Sequence, residues 1–253
     1  MEEEMIEMQE KKIVIPEEVK NLPWKHIFNG NNLCRGCGAI LGLKLALQAF
    51  GESVLVITPG CVSDIRKYMA LPSVEMANPS VASGITKKVI VFADDVATAA
   101  NLQGVVSMAE RNENILYICN NNQVVERRFT KCVPASYVAT ASVSHPDDYI
   151  KKLKKAISHE GFRFIDLFCP CPKEWEFDAS NMAEVARIAV ETGFWPLFEV
   201  ENKKLEVTVK TPRLEPIERY FGMQKRYNNF KETEKLKEKI SKNYKSLTEG
   251  KLL

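Results

Sequence analysis

The chain has 253 residues, 45% of them hydrophobic and 27% charged, which is enough to close the core of one large α/β domain or two small ones. A formal net charge of +2 is too near neutrality to argue for nucleic acid or a membrane surface as a partner. No apolar run approaches the roughly 20 residues that span a bilayer.

Met1-Glu2-Glu3-Glu4 is acidic and lacks an apolar h-region, so a cytoplasmic protein is expected. Seven cysteines in such a chain point to metal or redox chemistry rather than disulfides. Residues 1–28 read as a charged arm and an extended lead-in that packs Trp24 and Phe28 onto the body. A domain over 29–229 follows, then a charged helical tail over 230–253.

Cys34-Arg35-Gly36-Cys37-Gly38 forms a tight turn that feeds a helix ending at Phe50 and Gly51. Backbone N–H groups at that helix start favour thiolates. Ser53 to Thr58 is a continuous apolar run, as in a strand buried on both faces, and Pro59-Gly60-Cys61 ends it. Ala77 to Ile85 predicts a helix packed closely on the sheet. Lys88 to Phe92 is a second buried strand, followed by Ala93-Asp94-Asp95. Thr98 to Arg111 reads as one helix. Ile115 to Cys119 is a third strand, followed by Asn120-Asn121-Asn122, and Gln123 to Ala141 is read as irregular.

His145-Pro146-Asp147-Asp148 opens a helix with Tyr149, Ile150, Leu153 and Ile157 in one stripe. Phe162 to Phe168 is a fourth strand, ending at Cys169-Pro170-Cys171-Pro172. Asn181 to Thr192 is a helix stopped by Gly193. Leu197 to Val200 and Leu205 to Val209 form a hairpin, and Pro216 to Leu247 is helical and charged. Phe221, Tyr227, Phe230, Leu236 and Ile240 there are either a docking surface or a face packed back on the body.

Strands alternating with helices predict an α/β fold with a mostly parallel sheet, helices on both faces and right-handed crossovers. Ligands in such folds sit at the carboxyl ends of the strands. Just past the four strands come Cys61, Asp94, Asn122 and Cys171, and the Cys34/Cys37 turn can reach the same edge. Cys34, Cys37, Cys61 and one of Cys169 or Cys171 make a four-thiolate set, suited to a structural zinc or an iron–sulfur cluster. With one Cys-x-x-Cys knuckle and two isolated cysteines, a cluster suits better. A thioredoxin-like pair is a third reading. Cys119, Cys132 and Cys169 read as small buried apolar residues. Asp94 and Asn122 can jointly ligate a hard cation such as Mg²⁺ that holds a diphosphate, although both residue types are also common in turns.

Several blocks in the same order resemble the β subunits of the 2-oxoacid:ferredoxin oxidoreductases, the pyruvate synthase type. Cys34-Arg35-Gly36-Cys37-Gly38 is similar to the family's C-P-G-C-G, and Cys171-Pro172-Lys173-Glu174-Trp175 to its C-P-x-G-W. Ala139-Thr140-Ala141-Ser142-Val143 and the block from Ala189 to Leu197 also match, and the resemblance spans roughly 32–229.

It implies the thiamine diphosphate-binding fold, with thiamine diphosphate and Mg²⁺ held by Asp94, Asn122 and the Val124 carbonyl. It also implies a [4Fe-4S] cluster on Cys34, Cys37, Cys61 and Cys171, the Cys-Pro-x-x-Trp match selecting Cys171 over Cys169. The activity implied is oxidative decarboxylation of a 2-oxo acid such as pyruvate to acyl-CoA and CO₂, with electrons passing through the cluster to ferredoxin. The partners implied are α, γ and δ type subunits.

The chain departs from the family at two places. The family's G-D-G is Ala93-Asp94-Asp95 here, so Asp95 puts a side chain and a charge where a glycine lets backbone approach a diphosphate. After the second metal ligand, Val125-Glu126-Arg127-Arg128-Phe129 replaces Y-x-N-T-G. Arg127 takes the place of an asparagine near the thiazolium and the substrate, where Arg127 or Arg128 would hold a further substrate carboxylate or offset Asp95. A subunit that keeps the cluster but has lost thiamine diphosphate is the alternative, and a zinc-stabilised structural subunit is the second.

Overall fold

The computed structural model describes residues 33–50, 53–60, 62–68, 72–85, 87–125, 129–228 and 234–251. The arm and lead-in, Cys61, Arg127, Arg128 and Phe230 lie outside these residues.

Helix α1 (Gly38–Phe50) leads to strand β1 (Val54–Ile57) and then to the short edge strand β2 (Ser73–Glu75). Strand β3 (Val89–Asp94) is followed by α2 (Asp95–Ala100) and α3 (Leu102–Glu110). Strands β4 (Ile115–Asn121) and β5 (Tyr137–Ser142) precede α4 (Pro146–Ser158) and β6 (Arg163–Phe168). The one-turn helix α5 (Pro172–Trp175) and α6 (Met182–Glu191) lead into the hairpin β7 (Leu197–Glu201) and β8 (Lys204–Val209). Helices α7 (Ile217–Gly222) and α8 (Glu234–Thr248) follow.

The eight strands form one sheet in the order β2-β1-β3-β4-β6-β5-β7-β8. All pairings are parallel except β5 with β7 and β7 with β8.

Alternation along the central strands divides the core. Leu55, Ile57, Ile90, Phe92, Leu116, Ile118, Ile165 and Leu167 face one layer, with side chains of α1, α4 and α6. Val56, Val89, Val91, Ile115, Tyr117 and Phe164 face the other, where Val105, Met108 and Ala109 of α3 cover them. Both faces are therefore dry, which is why these strands read as unbroken apolar runs. Among the described residues no helix is long and apolar enough to cross a membrane.

Three expectations need correction, and one strand was not foreseen. Gln123 to Ala141 is not irregular throughout: β5 begins at Tyr137 and is buried at all six positions. Its Ala, Thr and Ser side chains carry little hydropathic contrast, and Thr140 is satisfied by donating to the Pro196 carbonyl at 2.8 Å. Strand β2 was not foreseen, because three half-buried residues, Ser-Val-Glu, give no period. The helix from Thr98 to Arg111 is two helices, broken where Asn101 Nδ2 donates to the Ala97 carbonyl at 2.9 Å and the Ala77 carbonyl at 3.1 Å. The segment from Ala77 to Ile85 holds a 3-10 helix, Pro79–Gly84, capped by Asn78.

The tail packs back on the body. Ile240, Tyr244 and Leu247 of α8 are buried, and Thr211 N–H donates to Tyr244 Oη at 2.7 Å. Phe221, Tyr227 and Leu236 pack against the main core.

Candidate functional site

Strands β1, β3, β4 and β6 lie side by side, and their register keeps the carboxyl ends level. Asp94 pairs with Asn120, Asn121 pairs with Phe168, and Cys169 N–H donates to the Asn121 carbonyl at 2.9 Å.

Asp94 ends β3 and caps α2, its Oδ1 accepting from Ala97 N–H at 2.7 Å. Its other oxygen faces the end of β1, where a Cβ on Gly60 would lie 2.8 Å from Asp94 Oδ2. A glycine at that place leaves the space before the carboxylate open. Burial holds the Asp94 carboxyl above its ordinary value, against the pull of the Ala97 bond.

Asp95, which the sequence places beside the diphosphate, turns inward. It is fully buried, and its Oδ2 accepts from Val125 N–H at 2.8 Å. Burial pushes its pKa up to about 6, the Val125 bond opposing and the neighbouring Asp94 adding to the rise. Its Oδ1 is buried and makes no hydrogen bond among the described residues. Asp95 is thus an anchor for the segment after β4.

That segment is held from several sides. Asn121 Nδ2 donates to Asp166 Oδ1 at 2.9 Å, and Asp166 Oδ2 accepts from Phe129 N–H at 3.1 Å. Asn121 Oδ1 accepts from both nitrogens of Gln123 at 3.1 Å. Asn122 Oδ1 accepts from Val124 N–H at 3.2 Å, and the Asn122 carbonyl accepts from the Trp175 indole at 2.8 Å. The three asparagines therefore differ: Asn120 and Asn121 are buried, while Asn122 is half-buried at the rim beside exposed Val124.

The thiols approach from the other side of the edge. Gly36 turns the chain at φ 67°, and Cys37 N–H donates to the Cys34 carbonyl at 3.2 Å. A Cβ at Gly38 would meet the Cys169 backbone at 3.2 Å, so α1 starts against the end of β6. Burial pushes the Cys37 thiol up, ahead of N–H bonds from Ile40 and Ala39 that pull it down, and Cys171 and Cys34 add to the rise. The N–H groups at the helix start favour a Cys37 thiolate, as the sequence suggested, but burial outweighs them. Cys171 precedes α5, whose Trp175 N–H donates to the Cys171 carbonyl at 3.0 Å.

Cys119 and Cys169 are buried, with thiols pushed well above the ordinary value by that burial. Cys132 is only half-buried, in the turn before β5, which corrects the expectation of a core residue. Among the described residues no three metal-ligating side chains converge closely enough to hold an ion.

Sequence reasoning gave no role to Asp166, Trp175 or Gly60. A carboxylate inside the apolar run Phe164-Ile165-Asp166-Leu167-Phe168 was the available signal, because a buried charge needs partners.

Pyruvate synthase subunit PorB of Methanothermobacter marburgensis is 33% identical over 278 residues, covering 88% of this chain and 94% of that protein. The chain belongs to the 2-oxoacid:ferredoxin oxidoreductase β subunits. Ketoisovalerate oxidoreductase subunit VorB of Pyrococcus horikoshii is also 33% identical, over 279 residues, with 84% of this chain and 90% of that protein covered. No family model matches. The 2-oxoglutarate:ferredoxin oxidoreductase of Magnetococcus marinus shares the fold, with a TM-score of 0.51 and 19% identity over 66% of this chain and 81% of that one. This β subunit is one subunit of an oxidoreductase acting on 2-oxo acids.

The donor chemistry of the two sides differs accordingly. The Asp94 carboxylate, the Asn122 amide oxygen and the Val124 carbonyl are hard oxygens of the kind Mg²⁺ takes, and Gly60 sets no side chain against Asp94 Oδ2. Cys34, Cys37 and Cys171 are soft donors, and the Cys171 and Cys34 thiols are near enough to add to the rise at Cys37. By donor type these residues suit the two groups; among the described residues no three metal-ligating side chains converge on one point, and Cys61 lies outside them.

Proposed function

We propose that this β subunit binds thiamine diphosphate through Mg²⁺ on Asp94, Asn122 and the Val124 carbonyl, and a [4Fe-4S] cluster on Cys34, Cys37, Cys61 and Cys171. The complex then carries out oxidative decarboxylation of a 2-oxo acid to acyl-CoA and CO₂, with electrons leaving through the cluster to ferredoxin. Pyruvate is the favoured substrate, by likeness to the PorB proteins. The observation that supports the reading is the Asp94 carboxylate with Oδ2 left uncrowded by Gly60, at a sheet edge against which the helix of the Cys34–Cys37 turn starts. When bound, thiamine diphosphate supplies the carbanion chemistry of decarboxylation, and the cluster accepts electrons one at a time.

The chain's own residues do the positioning. Asp94 is held by the Ala97 bond with its other oxygen beside Gly60. Asp95 fixes Val125, and with it the approach of the Val124 carbonyl. Arg127, two residues further on, is assigned to the substrate carboxylate near the thiazolium. Residues 29–229 are the cofactor-binding domain in this reading.

Iron, acid-labile sulfide and thiamine diphosphate are measured in the anaerobically assembled complex. All three bound in stoichiometric amounts supports the proposal. Iron and sulfide with no thiamine diphosphate at saturation overturns the catalytic role and leaves a cluster-bearing electron-transfer subunit. Zinc in place of iron overturns both.

A further inference from the structure

Two consecutive carbonyls of the segment after β4 are held from outside by residues distant in sequence. The Asn122 carbonyl accepts from the Trp175 indole at 2.8 Å, and the Gln123 carbonyl accepts from Arg226 Nη1 at 3.4 Å. The two donors are themselves stacked. The Arg226 guanidinium lies 3.8 Å from the centroid of the Trp175 ring and 4.6 Å from that of Tyr227. Its Nε donates to Gln224 Oε1 at 2.9 Å, and Gln224 Nε2 donates to the Tyr220 carbonyl at 2.8 Å. Trp175 is fully buried, against Phe168 and Phe177. A planar cation between two rings, with its edge N–H groups directed, is a task for arginine rather than lysine.

We infer that Trp175 and Arg226 are positioning residues that set the Asn122–Val124 segment for the cofactor's cation; this rests on the function proposed above. The clamp engages the carbonyls of 122 and 123. Asp95 holds Val125 from the far side. Between these anchors the chain has little freedom left at Val124, whose carbonyl is the assigned ligand. The residues reach the segment from α5 and from the turn Lys225–Tyr227 that follows α7. The C-terminal quarter of the chain therefore acts on a site built by its first half.

The test uses the assembled complex with R226A, R226K and W175F, thiamine diphosphate plus Mg²⁺ as the probe, and amide hydrogen exchange of residues 121–125 without the probe. R226A is expected to weaken thiamine diphosphate binding at least tenfold and to speed exchange at Val124 and Val125. R226K is expected not to restore either, since an ammonium cannot stack flat and donate at its edge. W175F keeps a ring for stacking but loses the N–H, so it weakens binding less than R226A.

A wild-type complex that binds the probe, with variants that bind it equally well and exchange alike, overturns the inference alone. A wild-type complex that binds none overturns the proposed function and this inference with it. Should R226A fail to fold, R226K and W175F decide the matter by the same readouts.

Discussion

Substituting Gly36 by alanine isolates what the thiol-bearing turn requires. Gly36 sits between Cys34 and Cys37 at φ 67°, where a residue with a Cβ loses about 1–2 kcal/mol. The new Cβ would also lie 3.0 Å from both Cα and the carbonyl carbon of Ala179, and closer still to its oxygen. These are backbone atoms, so no rotamer change relieves the contact, and overpacking of this kind costs about 1–3 kcal/mol. The sum is about 2–5 kcal/mol, a large part of the 5–15 kcal/mol typical of a domain. If the turn swings away to avoid the clash, the cost appears as lost iron instead, because Cys34 and Cys37 leave Cys171. The assay is urea unfolding of the full chain together with iron and sulfide per chain. G222A is the control, since a Cβ there meets nothing within 4 Å. A G36A chain with stability within about 0.5 kcal/mol of wild type and full iron content would refute the argument.

Burial holds the pKa of His145 below its ordinary 6.5, ahead of Asp148 and Glu191, which raise it, while Lys152 and Arg187 lower it further. The unfolded chain then binds more protons just below pH 6.5, so stability falls as pH drops through that value. H145Q should flatten urea midpoints between about pH 7 and 5; equal slopes in the two proteins would show that His145 titrates alike folded and unfolded. Lys152 is 1% exposed and donates to Asp148 Oδ2 at 2.6 Å, the Thr140 carbonyl at 2.8 Å and Thr208 Oγ1 at 2.7 Å. K152A strands the Asp148 carboxylate and should cost about 3–5 kcal/mol, with less loss in K152A/D148A; additive losses in the double mutant would contradict a coupled pair.

Legibility followed burial. The central strands announced themselves because two dry faces demand unbroken apolar runs, as at Val54–Ile57 and Val89–Phe92. Strand β5 was silent because its buried Thr140 and Ser142 are satisfied by hydrogen bonds that only the folded chain supplies. Asp94 and Asn122 could be placed on one edge, since the order of strands β1, β3, β4 and β6 brings consecutive ends together. The supports of that edge could not. Trp175 reaches Asn122, and Arg226 reaches Gln123, across 53 and 103 residues, and no local pattern records such pairs. The direction of Asp95 was equally hidden, because its position after β3 fits an outward carboxylate as well as an inward one.

The inward direction of Asp95 reverses what its substitution for a glycine suggests. On charge alone, D95G should tighten thiamine diphosphate binding by removing a negative group beside an anionic ligand. The geometry argues the opposite. Asp95 Oδ2 holds Val125 N–H at 2.8 Å, one of the bonds that order the segment bearing Asn122 and Val124. A hydrogen bond to a charged group contributes about 1.5–3 kcal/mol, and a glycine in the first turn of α2 loses roughly another 0.5–1 kcal/mol in chain entropy. The charge it removes is buried and engaged by the Val125 N–H. D95G is therefore expected to bind thiamine diphosphate and Mg²⁺ about tenfold or more weakly, 1.4 kcal/mol being one factor of ten. D95N should lose less than D95G, because its amide oxygen can accept the same N–H without the charge. Titration calorimetry of the three proteins in the complex separates the views. Tighter binding by D95G would mean that repulsion outweighs anchoring, and that Val124 is held by its own turn without Asp95.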